Sequence, residues 1–252
     1  MLAISANMGA AAQQRVTEAA PQAAACTPRN AITATVKSVT DGRTFTLADG
    51  REIRLSAVET TADAQAALSA LATGREVILS PLVPPVDRYG RLNMRAFVAA
   101  GAQQQSVEAS LISAGVAFAT PRGDDDACMK MLIQAERAAR SKKSGVWNDD
   151  ARKSMRAENP AALTRARGKF AVVEGKVISV RESGGTIYVN FGRRWSEDFT
   201  VTILKRNART FTDAGIEPKR LEGRNVRVRG FIEERGGPWI EAAMPQQIEI
   251  AE

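Results

Sequence analysis

The chain has 252 residues, of which 44% are hydrophobic, and its formal net charge is +7. This length and apolar content suit one large or two small globular domains and exclude a wholly disordered chain. Histidine is absent from the sequence, which excludes Ser-His-Asp and Cys-His catalysis, zinc held by histidine and acid-base chemistry by an imidazole. The positive charge favours a phosphate-bearing partner only weakly, because proteins that bind no anion often carry a similar excess.

Residues 1–30 are predicted to be a signal-like or flexible leader. Their apolar segment is too short to span a bilayer, and GAAAQQ looks like a small-residue cleavage site. We expect a protein that is exported to the periplasm or secreted; the alternative is a cytoplasmic protein with a flexible leader. Cys26 and Cys128 are the only two cysteines. Export would favour a disulfide between them, and two buried thiols are the alternative.

Residues 32–60 predict a β-meander. Apolar and polar residues alternate there, and the turn signals Asp41-Gly42 and Asp49-Gly50 separate the strands. Arg43 follows the first turn, although acidic loops at the end of a small barrel often hold a metal ion. The segment at 64–74 is typical of a helix that ends at Gly74, and 75–100 predicts a strand, a proline-rich loop and a second strand.

Two further helices are predicted. One lies within 105–118, where apolar residues recur at helical spacing after a capping Ser106. The other lies within 124–147, and its acidic start and basic end suit the helix dipole. These elements predict a strand-rich barrel with helices packed on it, at residues 31–150.

A second unit is predicted after a charged linker at 151–167. Three strands, a helix and two more strands follow within 168–252, which is the order of a five-stranded OB barrel. Alternation places Val226, Val228 and Phe231 inside, and Arg227 and Arg229 outside. The predicted fold class is therefore mainly β with helices (α+β), with one β-barrel followed by a second, smaller OB-like barrel.

Residues 31–150 resemble the staphylococcal nuclease (thermonuclease) family. Five motifs carry the resemblance, in order and at compatible spacings: VTDGRT (39–44), IRLSAVETTAD (53–63), VDRYGRL (86–92), VEASLISAGVAF (107–118) and AERAARSKKSGVW (135–147). The resemblance implies an OB-fold barrel that carries helices. Residues 168–252 look like the carboxy-terminal extension of some bacterial thermonuclease-like proteins, on less diagnostic motifs.

The resemblance also implies a chemistry. In the family, two aspartates and a backbone carbonyl hold a calcium ion, a glutamate activates water, and two arginines contact the phosphate. By motif, Arg54 and Arg91 stand at the two arginine positions. The phosphate-facing cations are therefore retained.

Three other positions depart from the family pattern. DGDT reads DGRT here, so Arg43 replaces a calcium ligand; VDTPE reads VETTA, so Glu59 stands at the second ligand and Ala62 at the general base. Asp41, Arg43, Glu59 and Thr60 would line the former calcium site. We expect loss of calcium-dependent hydrolysis and no metal cofactor, with the Arg43 guanidinium replacing the ion beside Glu59; the alternative is an arginine that points into solvent.

The predicted function is a binding module for single-stranded nucleic acid, another polyanion or a protein, without a membrane span. The candidate binding residues outside the motif arginines are Tyr89, Arg193, Arg194, Trp195 and Trp239. One alternative is an active nuclease whose metal is held by residues among Asp41, Glu59, Asp63 and Asp87. Another is a structural or assembly factor of the cell envelope.

Overall fold

A computed structural model of the chain describes residues 26–101, 103–121, 126–148, 155–194 and 196–251. Within these ranges the protein is mainly β, with seventeen strands and five α-helices. None of the helices in these ranges has both the length and the apolar character needed to cross a bilayer.

Six of the first seven strands build a closed barrel and a short extension. The bounds of all seven are β1 (Ile32–Asp41), β2 (Thr44–Leu47), β3 (Glu52–Leu55), β4 (Val58–Thr60), β5 (Glu76–Val86), β6 (Leu92–Ala100) and β7 (Gln103–Ser106). The sheet order is β3-β2-β1-β5-β6-β7, and β3 also pairs with β6. This last pairing closes β1, β2, β3, β5 and β6 into a five-stranded barrel, so the predicted OB-like barrel is confirmed.

Three helices pack against this barrel: α1 (Ala64–Ala72), α2 (Val107–Ser113) and α3 (Asp126–Ser141). The predicted cap of α2 is present, because the Ser106 hydroxyl accepts a hydrogen bond from the Ala109 N–H at 3.2 Å. Strand β8 (Ala117–Ala119) follows α2 and pairs with β4. The core between barrel and helices includes Phe45, Leu68 and Leu111, all fully buried.

Gly115 and Gly145 allow the end of α2 to pack closely against the turn after α3. The Val146 N–H donates to the Gly115 carbonyl at 2.9 Å. A Cβ at Gly115 would overlap the Ser144 carbonyl, and Gly115 has a positive φ of 71°. This close backbone approach requires glycine.

The second half of the chain forms two sheets, ordered β17-β14-β10-β9 and β11-β12-β13-β16-β15. The elements are β9 (Met155–Arg156), α4 (Pro160–Arg165), β10 (Phe170–Lys176), β11 (Ser179–Ser183), β12 (Thr186–Asn190), β13 (Thr200–Leu204), α5 (Ala208–Asp213), β14 (Asn225–Phe231), β15 (Glu233–Arg235), β16 (Gly237–Glu241) and β17 (Ile248–Ile250). Within 168–252 four strands precede α5 and four follow it, so the predicted helix is present but the predicted count of three and two strands is wrong. The first predicted strand is divided into β10 and β11, and the last two are divided into β14 to β17. Because the strands lie in two sheets, the second closed barrel stays a prediction.

The described part of the predicted linker is packed structure. Strand β9 pairs in parallel with β10, and Leu163 of α4 is fully buried in the core of the second half. The charge of this segment faces outward, while its few apolar residues supply the packing. Residues 151–154 lie outside the described ranges.

The alternation prediction for β14 is half correct. Val226 and Val228 are buried as expected, but Arg229 is also buried, with 1% exposure, and Phe231 is 48% exposed. Arg229 is buried because α3 covers this face of the strand: its Nη1 donates to Glu136 Oε1 at 2.8 Å. Phe231 at the strand end lies beyond that cover.

The predicted disulfide is confirmed. Cys26 and Cys128 are bonded, with their Cα atoms 4.6 Å apart and 102 positions between them in sequence. The bond ties the amino-terminal arm to the first turn of α3.

Candidate functional site

Two neighbouring cavities share Arg43 and Arg54, at the end of the barrel where the β1–β2 turn meets the loop after β4. The larger, of about 390 Å³, is lined by Asp41, Gly42, Arg43, Arg54, Thr60, Thr61, Ala62 and Gln65. The smaller, of about 170 Å³, is lined by Arg43, Arg54, Leu55, Ser56, Ala57, Val58, Glu59, Asn93, Thr120 and Phe231. The barrel thus brings together most of the site positions expected from its motifs.

Arg43 lies between a carboxylate and a backbone carbonyl. Its Nη1 donates to Glu59 Oε2 at 2.5 Å and to the Val58 carbonyl oxygen at 3.1 Å. The two charged side chains are each 23% exposed. The turn is held by Asp41, whose Oδ1 accepts the Arg43 N–H at 2.8 Å. The guanidinium therefore uses the oxygen atoms of β4 that face this end of the barrel, instead of pointing into solvent.

These residues do not fit a calcium ion. Calcium takes six to eight oxygen ligands and is repelled by a neighbouring cation. Here the Glu59 and Val58 oxygens already accept hydrogen bonds from Arg43. Among the described residues, no three Asp, Glu, Cys or His side chains cluster closely enough to hold a metal. Ala62, on the wall of the larger cavity, has no atom that accepts a proton.

Arg54 is the cation of this site that lacks a carboxylate partner. It lies on β3 opposite Thr44 of β2 and beside Asn93 of β6. No ion pair or hydrogen bond of its side chain is found within the described ranges, although it is partly buried. Burial, followed by the charges of Arg43 and Arg91, lowers its pKa, and Asp41 and Asp87 oppose this effect. Two arginines and two aspartates thus act on Arg54 in opposite directions. An anion beside its partly buried guanidinium would gain a charge-assisted hydrogen bond.

Arg91 is near Arg54 but its charge is already balanced. Its Nε and Nη2 donate to Asp87 Oδ2 at 2.8 and 2.7 Å. Its guanidinium lies 5.0 Å from the ring centre of Tyr89, and Arg88 lies 4.8 Å from the same ring. Tyr89 is 65% exposed. Arg91 thus contributes to the local field while remaining bound to Asp87.

Three of the four candidate binding residues of the second half lie outside this site. Arg193 and Arg194 are exposed, and Arg194 pairs with Glu197 at 3.0 Å. Trp195 lies outside the described residues. Trp239 is only 4% exposed, with Arg235 over its ring at 4.2 Å, so its prediction as a stacking residue is corrected to a packing role. Arg193, Arg194 and Trp239 line neither arginine cavity.

Phe231 is the site residue that sequence reasoning missed. It belongs to β14, yet it lines the smaller cavity with Arg43 and Arg54. Strand alternation placed it inside a core, and no local signal distinguishes a buried strand-end phenylalanine from one that faces a neighbouring domain.

Comparison with known proteins agrees with this architecture. Residues 53–149 match the family model described as Staphylococcal nuclease homologue. Together with the closed five-stranded barrel, the match shows that the chain contains a staphylococcal nuclease-like OB-fold domain. The matched range includes Arg54, Glu59, Ala62 and Arg91 and begins after Arg43. No curated protein was found to match the chain.

Proposed function

We propose that the nuclease-like domain no longer hydrolyses phosphodiesters with calcium and instead binds phosphate-bearing polyanions at Arg54. The observation that carries the proposal is the environment of Arg54, a partly buried arginine on the wall of both cavities for which the described residues supply no carboxylate partner. A guanidinium in such a place gains most from a ligand oxygen that supplies the missing negative charge.

The loss of hydrolysis is supported by two neighbouring positions. The Arg43 guanidinium lies against the Glu59 carboxylate and the Val58 carbonyl, which leaves those oxygens poorly placed for a cation. Ala62 provides no general base on the wall of the larger cavity. The site retains Arg54, whose guanidinium can bind an anion.

A binding titration tests this proposal. We would measure fluorescence polarisation of a labelled single-stranded oligonucleotide at low and high salt, with inorganic polyphosphate as competitor. Arg54→Ala should weaken binding about tenfold at low salt, because a charge-assisted hydrogen bond is lost. Arg51→Ala is the matched control: Arg51 is 44% exposed, pairs with Asp49 at 2.7 Å and lines neither arginine cavity.

Two outcomes would refute polyanion binding at Arg54. If the unmodified protein binds neither the oligonucleotide nor polyphosphate at low salt, the proposal fails. It also fails if Arg54→Ala binds as tightly as Arg51→Ala. Chelator-sensitive cleavage of plasmid DNA by the unmodified protein would overturn the proposed loss of hydrolysis.

We also propose that the protein is exported. The Cys26–Cys128 disulfide supports this, because disulfides persist in oxidising compartments and are rare in the cytosol. Fractionation of the native cells should place the protein outside the cytoplasm, and thiol titration under denaturing conditions should find no free thiol. Recovery from the cytosol with two free thiols would contradict export.

A further inference from the structure

The smaller arginine cavity is built by both halves of the chain. Arg43 and Arg54 come from the nuclease-like domain, and Phe231 comes from the end of β14. Phe231 is 48% exposed, although a phenylalanine is usually buried. An exposed aromatic ring thus shares a cavity with a cation that lacks a partner.

A row of aromatic rings holds Phe231 in this place. Phe231 packs edge-on against Phe170 at 5.5 Å, and the two are direct partners in the β10–β14 register. Phe170 lies 6.1 Å from Phe118, which packs edge-on against Trp147 at 5.4 Å. Phe118 is the strand partner of Glu59, the residue bound to Arg43. The row therefore links the ring of Phe231 to the strand that holds the arginine pair.

An ion pair and a hydrogen bond also hold β14, the strand that carries Phe231, against the nuclease-like domain. Two positions before Phe231, the buried Arg229 donates to the buried Glu136 of α3 at 2.8 Å. Arg229 Nη1 also lies 3.5 Å from the Ala119 carbonyl of β8. These contacts join β14 to the nuclease-like domain and limit movement of Phe231 relative to Arg54.

We propose that Phe231 is a specificity-determining residue of the Arg54 site, which selects ligands that carry an unstacked base beside a phosphate, as in single-stranded nucleic acid. The proposal rests on the proposed function, since Arg54 would hold the phosphate. An exposed aromatic face stacks on a base, whereas polyphosphate has no flat group and a duplex keeps its bases stacked. Neither of these two ligands gains from the ring.

Substitutions of Phe231 test the proposal. Phe231→Leu keeps apolar packing against Phe170 but removes the flat ring, and it should weaken binding of a labelled single-stranded oligonucleotide about tenfold. Phe231→Tyr should restore that affinity. Tyr188→Ala is the control, because Tyr188 is a 36% exposed aromatic of the same half of the chain and does not line the cavity. Polyphosphate and a duplex of equal length should bind Phe231→Leu as they bind the unmodified protein.

The outcomes separate this inference from the proposed function. Equal weakening for all three probes would overturn the stacking role, since it would indicate a change in the arginines. Unchanged oligonucleotide binding by Phe231→Leu, with an intact effect of Arg54→Ala, would overturn the role of Phe231 alone. If the unmodified protein binds polyphosphate and no oligonucleotide, the base-selective role fails while anion binding stands.

Discussion

Arg43 contacts two oxygen atoms of β4 at the end of the barrel. Its Nη1 donates hydrogen bonds to both Glu59 Oε2 and the Val58 carbonyl oxygen. The positive charge beside these two oxygen atoms is therefore the guanidinium of the protein itself. The pair is 23% exposed on each side, which limits its contribution to folding, because water screens such pairs. Both oxygen atoms accept hydrogen bonds from the guanidinium, which supports the proposed loss of metal binding.

We expect a return of calcium binding when this pair is converted to the family pattern. The unmodified protein should show no calcium-dependent rise in melting temperature. Arg43→Asp with Glu59→Asp should show one, since a ligand that binds only the folded state stabilises it, by about 2.7 kcal/mol at 100 times its Kd. Adding Ala62→Glu should then restore phosphodiester cleavage, with Arg54 still available to the phosphate.

Three proteins are compared in this experiment: Ala62→Glu alone, the unmodified protein and the triple variant. Ala62→Glu alone should cleave nothing, because a base without a metal is insufficient. Calcium stabilisation of the unmodified protein would show that Arg43 does not exclude the ion. A triple variant that binds calcium without cleaving would show that the loop geometry differs from that of an active site.

At the scale of elements, α2 begins with an unusual buried acid. Glu108 is 1% exposed, and its carboxyl accepts hydrogen bonds from the Ser106 hydroxyl at 2.9 Å and the Ala96 N–H at 3.1 Å. Burial raises the pKa of Glu108 from 4.5 to about 7, against the opposite effects of these donors and of Arg95. The folded protein therefore favours a neutral Glu108 at pH values below about 7.

Glu108 predicts a pH-dependent stability. With a folded pKa of about 7 and an unfolded pKa of 4.5, the folded state binds more protons between these values, so stability falls as the pH rises from 4.5 to 7. The linked loss is up to about 3 kcal/mol. Urea unfolding at pH 5 and pH 7.5 should show this difference, and Glu108→Gln should reduce it. An equal difference in both proteins would assign it to other groups.

At the scale of the whole molecule, buried charges join the two halves. Glu136 of α3 and Glu249 of β17 are bound by arginines from both halves: Arg137, Arg140, Arg227 and Arg229. An apolar cluster of Ala139, Val146, Trp147 and Val172 lies within the same interface. This arrangement places Phe231 against the arginine cavity, so the composite site depends on the docking of the two halves.

Removal of Arg229 should therefore destabilise the protein strongly. Among the described residues, Arg229→Ala leaves the fully buried Glu136 with Arg140 as its one charged partner, at 3.3 Å. The loss of one partner of a buried pair costs about 3–5 kcal/mol. Arg167→Ala is the control, since Arg167 is 67% exposed in its pair with Glu234 and should cost less than about 1 kcal/mol. Urea unfolding compares them. Equal effects would mean that the buried network does not hold the interface.

The sequence by itself determined the features that depend on near neighbours in the chain. Turn residues separate the barrel strands and Ser106 caps α2, because turns and caps are local properties. Residues 43, 59 and 62 depart from the family motifs, which predicts a changed site. The presence of two cysteines in the sequence predicted a disulfide, which the structure confirms.

Only the tertiary structure decided which faces meet. Arg229 is buried and Trp239 is covered, against the sequence-based expectation, while Phe231 is exposed at the arginine cavity. Alternation reports which side of a strand a residue occupies but not what lies on that side. Here α3 lies on one side of β14 and a cavity of the other domain at its end, and both placements result from packing between segments about a hundred residues apart.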